Sequence, residues 1–213
     1  MNFISKELLD YAEQHSESEP ILLQELRRET WQKVLAPRML SGHLQGRLLS
    51  LISKLTKPKL ILEIGTYTGY STLCLAEGLQ DTGLLYTIDN NEELFDFQLK
   101  YFKKSGLSEV IIQKTGEALD IIPTLPNEFD LIFIDADKKN YSNYFDLVVP
   151  KLNKNAIILS DNVLWSGKVL NETKKNDIDT AEIKHYNKKI KEDSRVETIL
   201  LPFRDGISIC RKK

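Results

Sequence analysis

The chain has 213 residues, 41% hydrophobic and 28% charged, with 29 Lys and Arg against 31 Asp and Glu for a formal net charge of −2. A chain of that length buries roughly 70% of its unfolded surface, so disorder as the main state is excluded and a broadly cationic nucleic-acid binder is disfavoured. Two cysteines, Cys74 and Cys210, are too few for a disulfide framework or a cysteine-based zinc site and point to a reducing compartment.

The opening stretch MNFISKELLDYAEQ lacks a basic start followed by an apolar run, and no segment reaches the ~18 apolar residues of a membrane span. The cytoplasm is the expected location. Residues 3–54 read as helical. Leu8, Leu9, Tyr11 and Ala12 fall on one face, and Leu22, Leu23 and Leu26 continue at helical spacing. A third run is Leu44, Leu48, Leu49, Leu51, Ile52 and Leu55, with Pro20 and Pro37 as punctuation.

From residue 59 short apolar runs alternate with amphipathic helices. The runs are 60–64, 84–89, 110–114, 129–135 and 156–161; the helices are TLCLAEGL, 92–105, EALDII and YSNYFDLVVPKL. Continuous apolar runs suggest strands covered on both faces, and repeated strand–helix units predict a parallel, doubly wound sheet. At the end, 196–202 and 206–211 are separated by only Phe203, Arg204 and Asp205. So short a link allows a hairpin but no parallel crossover. The expectation is an α/β, Rossmann-like seven-stranded sheet, mostly parallel with the last strand antiparallel. Residues 1–55 form a helical extension and 59–213 the core of a single domain. The polar stretch NETKKNDIDTAE reads as a long surface loop, of the kind that often covers a site, leading into a helix near 179–193.

Ligands of open α/β sheets bind outside the carboxyl ends of the strands. The first such end reads Glu63-Ile-Gly65-Thr-Tyr-Thr-Gly69-Tyr-Ser71. Its glycines permit a tight turn and close approach of a ligand, or merely a strand-to-helix turn. It is neither the G-x-G-x-x-G of dinucleotide folds nor a phosphate loop. Asp89 ends the second run, where it can accept from both hydroxyls of a ribose or cap a helix. Asp135-Ala-Asp137-Lys138 and Asp161-Asn162 end the fourth and fifth. Asp135, Asp161 and Asn162 are hard oxygen donors suited to magnesium or calcium; the alternative is local Asx turns. Lys138 either faces the same cleft or lies on a solvated turn. The lysine stretches 138–139, 174–175, 188–191 and 211–213 read as solvated faces that can also attract RNA phosphates. His15, His43 and His185 assemble no ligand set. Trp165 can stack on a flat acceptor or pack in the core.

The stretches APRMLSGHLQGRLL, ILEIGTYTGYSTLCLA, FDLIFIDADKKNY, LSDNVLWSGKV and LPFRDGISICRKK together resemble the cation-dependent O-methyltransferases of the caffeoyl-CoA and catechol type, especially small bacterial members. The resemblance runs from about Ala36 to the C-terminus. It implies S-adenosylmethionine (SAM) as cofactor and a divalent cation, Mg2+ first and Mn2+ or Ca2+ next. It further implies Asp135, Asp161 and Asn162 as metal ligands, with Asp135 also bordering the cofactor, and Lys138 as the catalytic lysine. Glu63, Gly65 and Thr66 match groups around the methionine and ribose, Ser71 the methionine carboxylate, and Asp137 the methionine amino group. Asp89 matches the ribose clamp, and Glu117-Ala118 the surroundings of the adenine. Met39 and Ser41 match a segment folding over the cofactor.

The acceptor implied is a small phenolic vicinal diol; the runner-up is a 5-hydroxyuridine in tRNA. A nucleotide-binding oxidoreductase would lack its glycine motif, and a non-catalytic SAM-binding module would leave the triad and Lys138 without purpose. A homodimer is implied, with Ile199, Leu201, Ile207 and Ile209 offered at a sheet edge.

Overall fold

The computed structural model describes residues 4–213; residues 1–3 of the expected helical extension lie outside it. The extension comprises α1 (Lys6–Gln14), α2 (Ile21–Lys33) and α3 (Gly42–Thr56). Helix α1 starts at Ser5, whose hydroxyl accepts from the Leu8 amide. It buries none of its residues: Leu8 and Tyr11 are 63% and 61% exposed. The apolar face read there therefore does not pack into the core. Leu23 and Leu26 of α2 and Leu49 of α3 do, whereas Leu51 and Leu55 stay outside.

The remainder alternates as expected: β1 (Leu60–Ile64), α4 (Tyr70–Ala76), β2 (Leu84–Asp89), α5 (Phe95–Ser105), β3 (Ile111–Thr115), α6 (Ala118–Ile121), β4 (Phe129–Ile134), α7 (Tyr141–Val148), β5 (Leu152–Asp161), α8 (Ile178–Glu192), β6 (Val196–Leu201) and β7 (Ile207–Lys212). The seven strands form one sheet in the order β3-β2-β1-β4-β5-β7-β6. All pairings are parallel up to β5; β7 runs antiparallel to both β5 and β6.

Successive strand residues point to opposite faces, and that alternation makes two cores. Leu62, Ile64, Ile132, Ile134 and Ile158 pack with Tyr141, Phe145, Tyr186 and Ile190 from α7 and α8. Ile61, Leu131, Phe133 and Leu159 face Leu26, Leu49, Tyr70, Leu73 and Phe102 from α2 to α5. Strand β5 starts earlier than expected, at Leu152 rather than Ala156. Its polar opening LNKN joins β4 across a register shift, with Leu152 opposite Phe129 but Ile157 opposite Leu131. The hairpin also corrects an expectation. Because β7 is internal, Ile207 is buried at 1% exposure, and of the hairpin's two strands only β6 lies at an edge of the sheet, where Ile199 is 55% exposed.

Candidate active site

The strand order reverses between β1 and β4, and a cleft opens at the carboxyl ends there. Its volume is about 1640 Å³, and its wall includes Gly65, Thr66, Ser71, Asp89, Glu117, Ala118, Asp135, Asp137, Lys138, Asp161, Asn162, Met39 and Ser41. Every residue that the resemblance implies for cofactor, cation or catalysis thus lines one cleft except Glu63. Glu63 is fully buried behind the wall. One of its oxygens accepts from Thr72 and, at 2.6 Å, from Thr87, while Oε1 has no partner among the described residues. Burial pushes its carboxyl up to about 7 against the neighbouring hydroxyls.

Gly65 shapes the floor. Its φ of +100° is left-handed, and a Cβ there would stand 1.9 Å from the Asp135 carbonyl oxygen. Only glycine lets the β1 turn pass so close to the end of β4. Asp89 accepts from the Tyr67 amide at 2.7 Å through Oδ2 and from the Asn91 amide at 2.8 Å through Oδ1, so it braces the glycine turn. Each oxygen retains a lone pair for a further donor. Glu117 accepts from Asn90 at 3.2 Å. Asp137 accepts from the Tyr144 hydroxyl and, at 2.6 Å, from Asn140.

At the other end, Asp161 is 4% exposed. Its Oδ2 accepts from Gln45 at 2.6 Å and its Oδ1 from the Asn162 amide at 2.7 Å. Burial pushes its carboxyl up to about 6, and the charge of Asp135 pushes the same way. Two carboxylates here favour a positive partner, and in the structure that partner is Lys138. Its Nζ donates to Asp135 Oδ1 at 3.0 Å, to the Ala136 carbonyl at 2.9 Å and to the Tyr141 hydroxyl at 2.8 Å. With its side chain only 10% exposed, Lys138 is no solvated-face lysine, whereas Lys139 beside it is 64% exposed. Trp165 joins this end, its ring centre 6.0 Å from the Lys138 nitrogen.

Among the described residues no three His, Cys, Asp or Glu side chains gather as a metal cluster. Asp135, Asp161 and Asn162 line one cleft, and each side chain carries an oxygen. Oxygen donors are what a hard dication takes. The cradle at Gly65 is likewise compatible with a nucleoside-sized cofactor held against the backbone.

A family profile described as O-methyltransferase matches residues 13–213. The chain belongs to the O-methyltransferase family. Tricin synthase 2 of Oryza sativa subsp. japonica is 36% identical over 179 residues, spanning 79% of this chain and 61% of that protein. Caffeoyl-CoA O-methyltransferase 2 of Eucalyptus globulus is 35% identical over 185 residues, 79% of this chain and 72% of that one. Among solved structures, the SAH-bound methyltransferase PaMTH1 of Podospora anserina superposes with a TM-score of 0.89 at 30% identity, over 99% of this chain and 97% of that one. The family places the chain among the SAM-dependent O-methyltransferases, as the sequence motifs imply.

Several site residues of this O-methyltransferase carry no role in the sequence reading: Gln45, Tyr141, Tyr144 and Arg204. Each stands inside or beside a stretch that marks the family. Tyr141 and Tyr144 have partners close by in the chain, Lys138 and Asp137, but Gln45 and Arg204 do not: Gln45 and Asp161 are 116 positions apart, and Arg204 and Gln45 are 159. A spacing rule of the kind that brings Asp135 and Lys138 together cannot reach those two.

Proposed function

We propose that the protein methylates a phenolic oxygen of a small vicinal diol with SAM, assisted by a divalent cation, magnesium first. The observation that carries this reading is the shared cleft: a glycine turn and ribose-suited Asp89 at one end, and three oxygen donors around a buried lysine at the other. When bound, SAM supplies an electrophilic methyl group on a cationic sulfur, and a divalent cation supplies Lewis acidity toward oxygen.

The chain's own residues do the rest. Gly65 and Thr66 would admit the cofactor against the backbone, with Asp89 on the ribose, Glu117 and Ala118 near the base, and Ser71 and Asp137 on the methionine end. Met39 and Ser41 would cover it. Asp135, Asp161 and Asn162 would hold the cation. A phenol ionises near pH ~10, so well under 1% is phenolate at neutral pH. The acceptor therefore needs a base, and Lys138 Nζ is placed to take that proton. In the structure Nζ donates to three oxygens, the pattern of an ammonium. To act as a base it must first release one of these three protons, and with it one of these three contacts, which frees the lone pair that takes the phenol's proton. Trp165 would stack against the flat acceptor, and positioning in the cleft supplies much of the remaining acceleration.

The names of the relatives, tricin synthase and caffeoyl-CoA O-methyltransferase, support a small phenolic acceptor over a nucleic acid. We further propose a homodimer through edge strand β6, and a cytoplasmic location in keeping with two buried free cysteines. No helix among the described residues is long and apolar enough to cross a membrane.

The test is transfer of a labelled methyl group from SAM to a catechol panel and, in parallel, to tRNA containing 5-hydroxyuridine. EDTA-treated protein is compared with protein given magnesium or manganese. Label should reach a catechol only with metal. Undiminished transfer by verified metal-free protein would remove the cation from the reading, and transfer to tRNA alone would replace the acceptor.

A further inference from the structure

The turn between β6 and β7 reaches three separate parts of the cleft. Arg204 donates through Nη1 to the Ser41 carbonyl and to Gln45 Oε1, and through Nη2 at 3.5 Å to the Leu40 carbonyl. Gln45 is 1% exposed and passes the contact on, donating to Asp161 Oδ2 at 2.6 Å. The amide must face its oxygen to the guanidinium and its NH2 to the carboxylate, so the relay has one orientation. Next in the chain, Asp205 accepts from the Ser166 amide at 2.5 Å, and its carbonyl accepts from the Leu164 amide at 2.9 Å. Gly206 closes the contact: a Cβ there would lie 2.5 Å from Leu164 Cγ.

The backbone around this bracket is strained. Asn162, Trp165, Ser166 and Arg204 all have left-handed φ, between +47° and +59°. Side-chain-bearing residues keep such angles only where surroundings over-determine them. Leu40 and Ser41 are 6% and 8% exposed, whereas adjoining Met39 is 59% exposed. Arg204 therefore grips the anchored end of the segment whose free end faces the cofactor part of the cleft.

We propose that Arg204 is a positioning residue that ties the 39–41 segment and the Asp161 carboxylate into one unit, so that the cofactor end and the cation end of the cleft form and loosen together. The coupling rests on the methyltransferase reading above; the grip on 39–41 does not. A guanidinium suits the task because its planar fork reaches several acceptors at once, which an ammonium on a flexible stem does not.

The experiment combines hydrogen exchange, read by mass spectrometry on the full chain without ligand, with calorimetric titration of S-adenosylhomocysteine with and without magnesium. Arg204→Met keeps the apolar stem and removes every donor. It should raise exchange at residues 39–45 by about tenfold, as expected for loss of charge-assisted hydrogen bonds, with β1 and β4 unchanged. It should also weaken S-adenosylhomocysteine by a similar factor and erase any gain from magnesium. Arg204→Lys should fall between. Gln45→Leu severs only the carboxylate limb, so it should keep 39–41 protected and lose the magnesium gain. Wild-type exchange at 39–45 in Arg204→Met, or a uniform rise across all strands, would overturn the proposal. Should the wild-type chain bind no S-adenosylhomocysteine, the functional reading falls, and the exchange data alone decide the grip of Arg204.

Discussion

Lys138 and Tyr141 are joined by a 2.8 Å hydrogen bond, and the Tyr141 hydroxyl in turn donates at 3.0 Å to the Asp161 carbonyl. The tyrosine is fully buried, and burial holds its phenol well above the ordinary range, so it stays protonated and keeps donating. The lysine is thereby fixed to the end of β5 as well as to its own turn. A side chain with four rotatable bonds is held at one point of the cleft.

Lys138→Met is accordingly expected to lower turnover about 10²–10⁴-fold while the fold is retained. A surface lysine would change stability by under ~0.5 kcal/mol and activity hardly at all. The deficit should shrink for acceptors that ionise more readily, since they need less help losing a proton. Turnover of both proteins across acceptors of graded acidity, at saturating SAM and magnesium, reads this directly. An equal deficit for every acceptor would make Lys138 a residue that orients the acceptor.

Gly65→Ala should destabilise the protein by about 2–4 kcal/mol, combining a left-handed backbone with a steric clash. The added methyl has nowhere to go, because the obstacle 1.9 Å away is the Asp135 main-chain carbonyl. A urea midpoint within error of wild type would show that β1 and β4 separate more easily at their ends than this structure implies.

Glu77 gives a pH signature remote from the cleft. Burial alone would raise its carboxyl, but Arg47 at 2.6 Å, Lys54 at 2.7 Å and Ser50 at 2.7 Å outweigh that and hold it down at about 2, below the ordinary 4.5. A depressed carboxylate stabilises the fold above its ordinary pKa and loses that contribution as pH falls toward the folded value. Glu77→Gln should therefore cost about 1–3 kcal/mol at pH 7, allowing for the half-exposed Lys54. The gap between variant and wild type should close between about pH 5 and about pH 2. Chemical denaturation at a series of pH values tests it; a gap independent of pH would assign the cost to packing.

The sheet was largely legible because parallel strands buried on both faces read as unbroken apolar runs, and β1 and β2 have the expected bounds at both ends. Two kinds of information were not. Leu152–Asn155 is polar and part of β5 only because β4 offers backbone partners, which no local pattern announces. Ile207 and Ile199 alternate identically in the hairpin, yet one is buried and one exposed. Their difference lies in which strand inserts beside β5. The strand-end residues were legible from their place after apolar runs. Gln45 and Arg204 were not, since an amide in a helix and an arginine in a turn acquire meaning only through partners far along the chain.

A homodimer through β6 is expected to give a light-scattering mass near twice 24.5 kDa at micromolar protein. Ile199, 55% exposed on that edge strand, is the residue to change. Ile199→Lys should shift the mass toward one chain. Wild-type protein already at 24.5 kDa would remove the claim.

The internal position of β7 makes the two ends of the chain unequal in what they tolerate. Helix α1 buries none of its own residues, although its Leu9 and Glu13 border the cleft. Cutting before Ile207 strips the strand between β5 and β6, leaving two raw hydrogen-bonding edges and uncovering Ile158 and Leu159. Loss of the front helix should therefore leave the sheet intact. A clipped or prematurely stopped chain should instead enter aggregates, with the Asp161 end of the cleft never assembled.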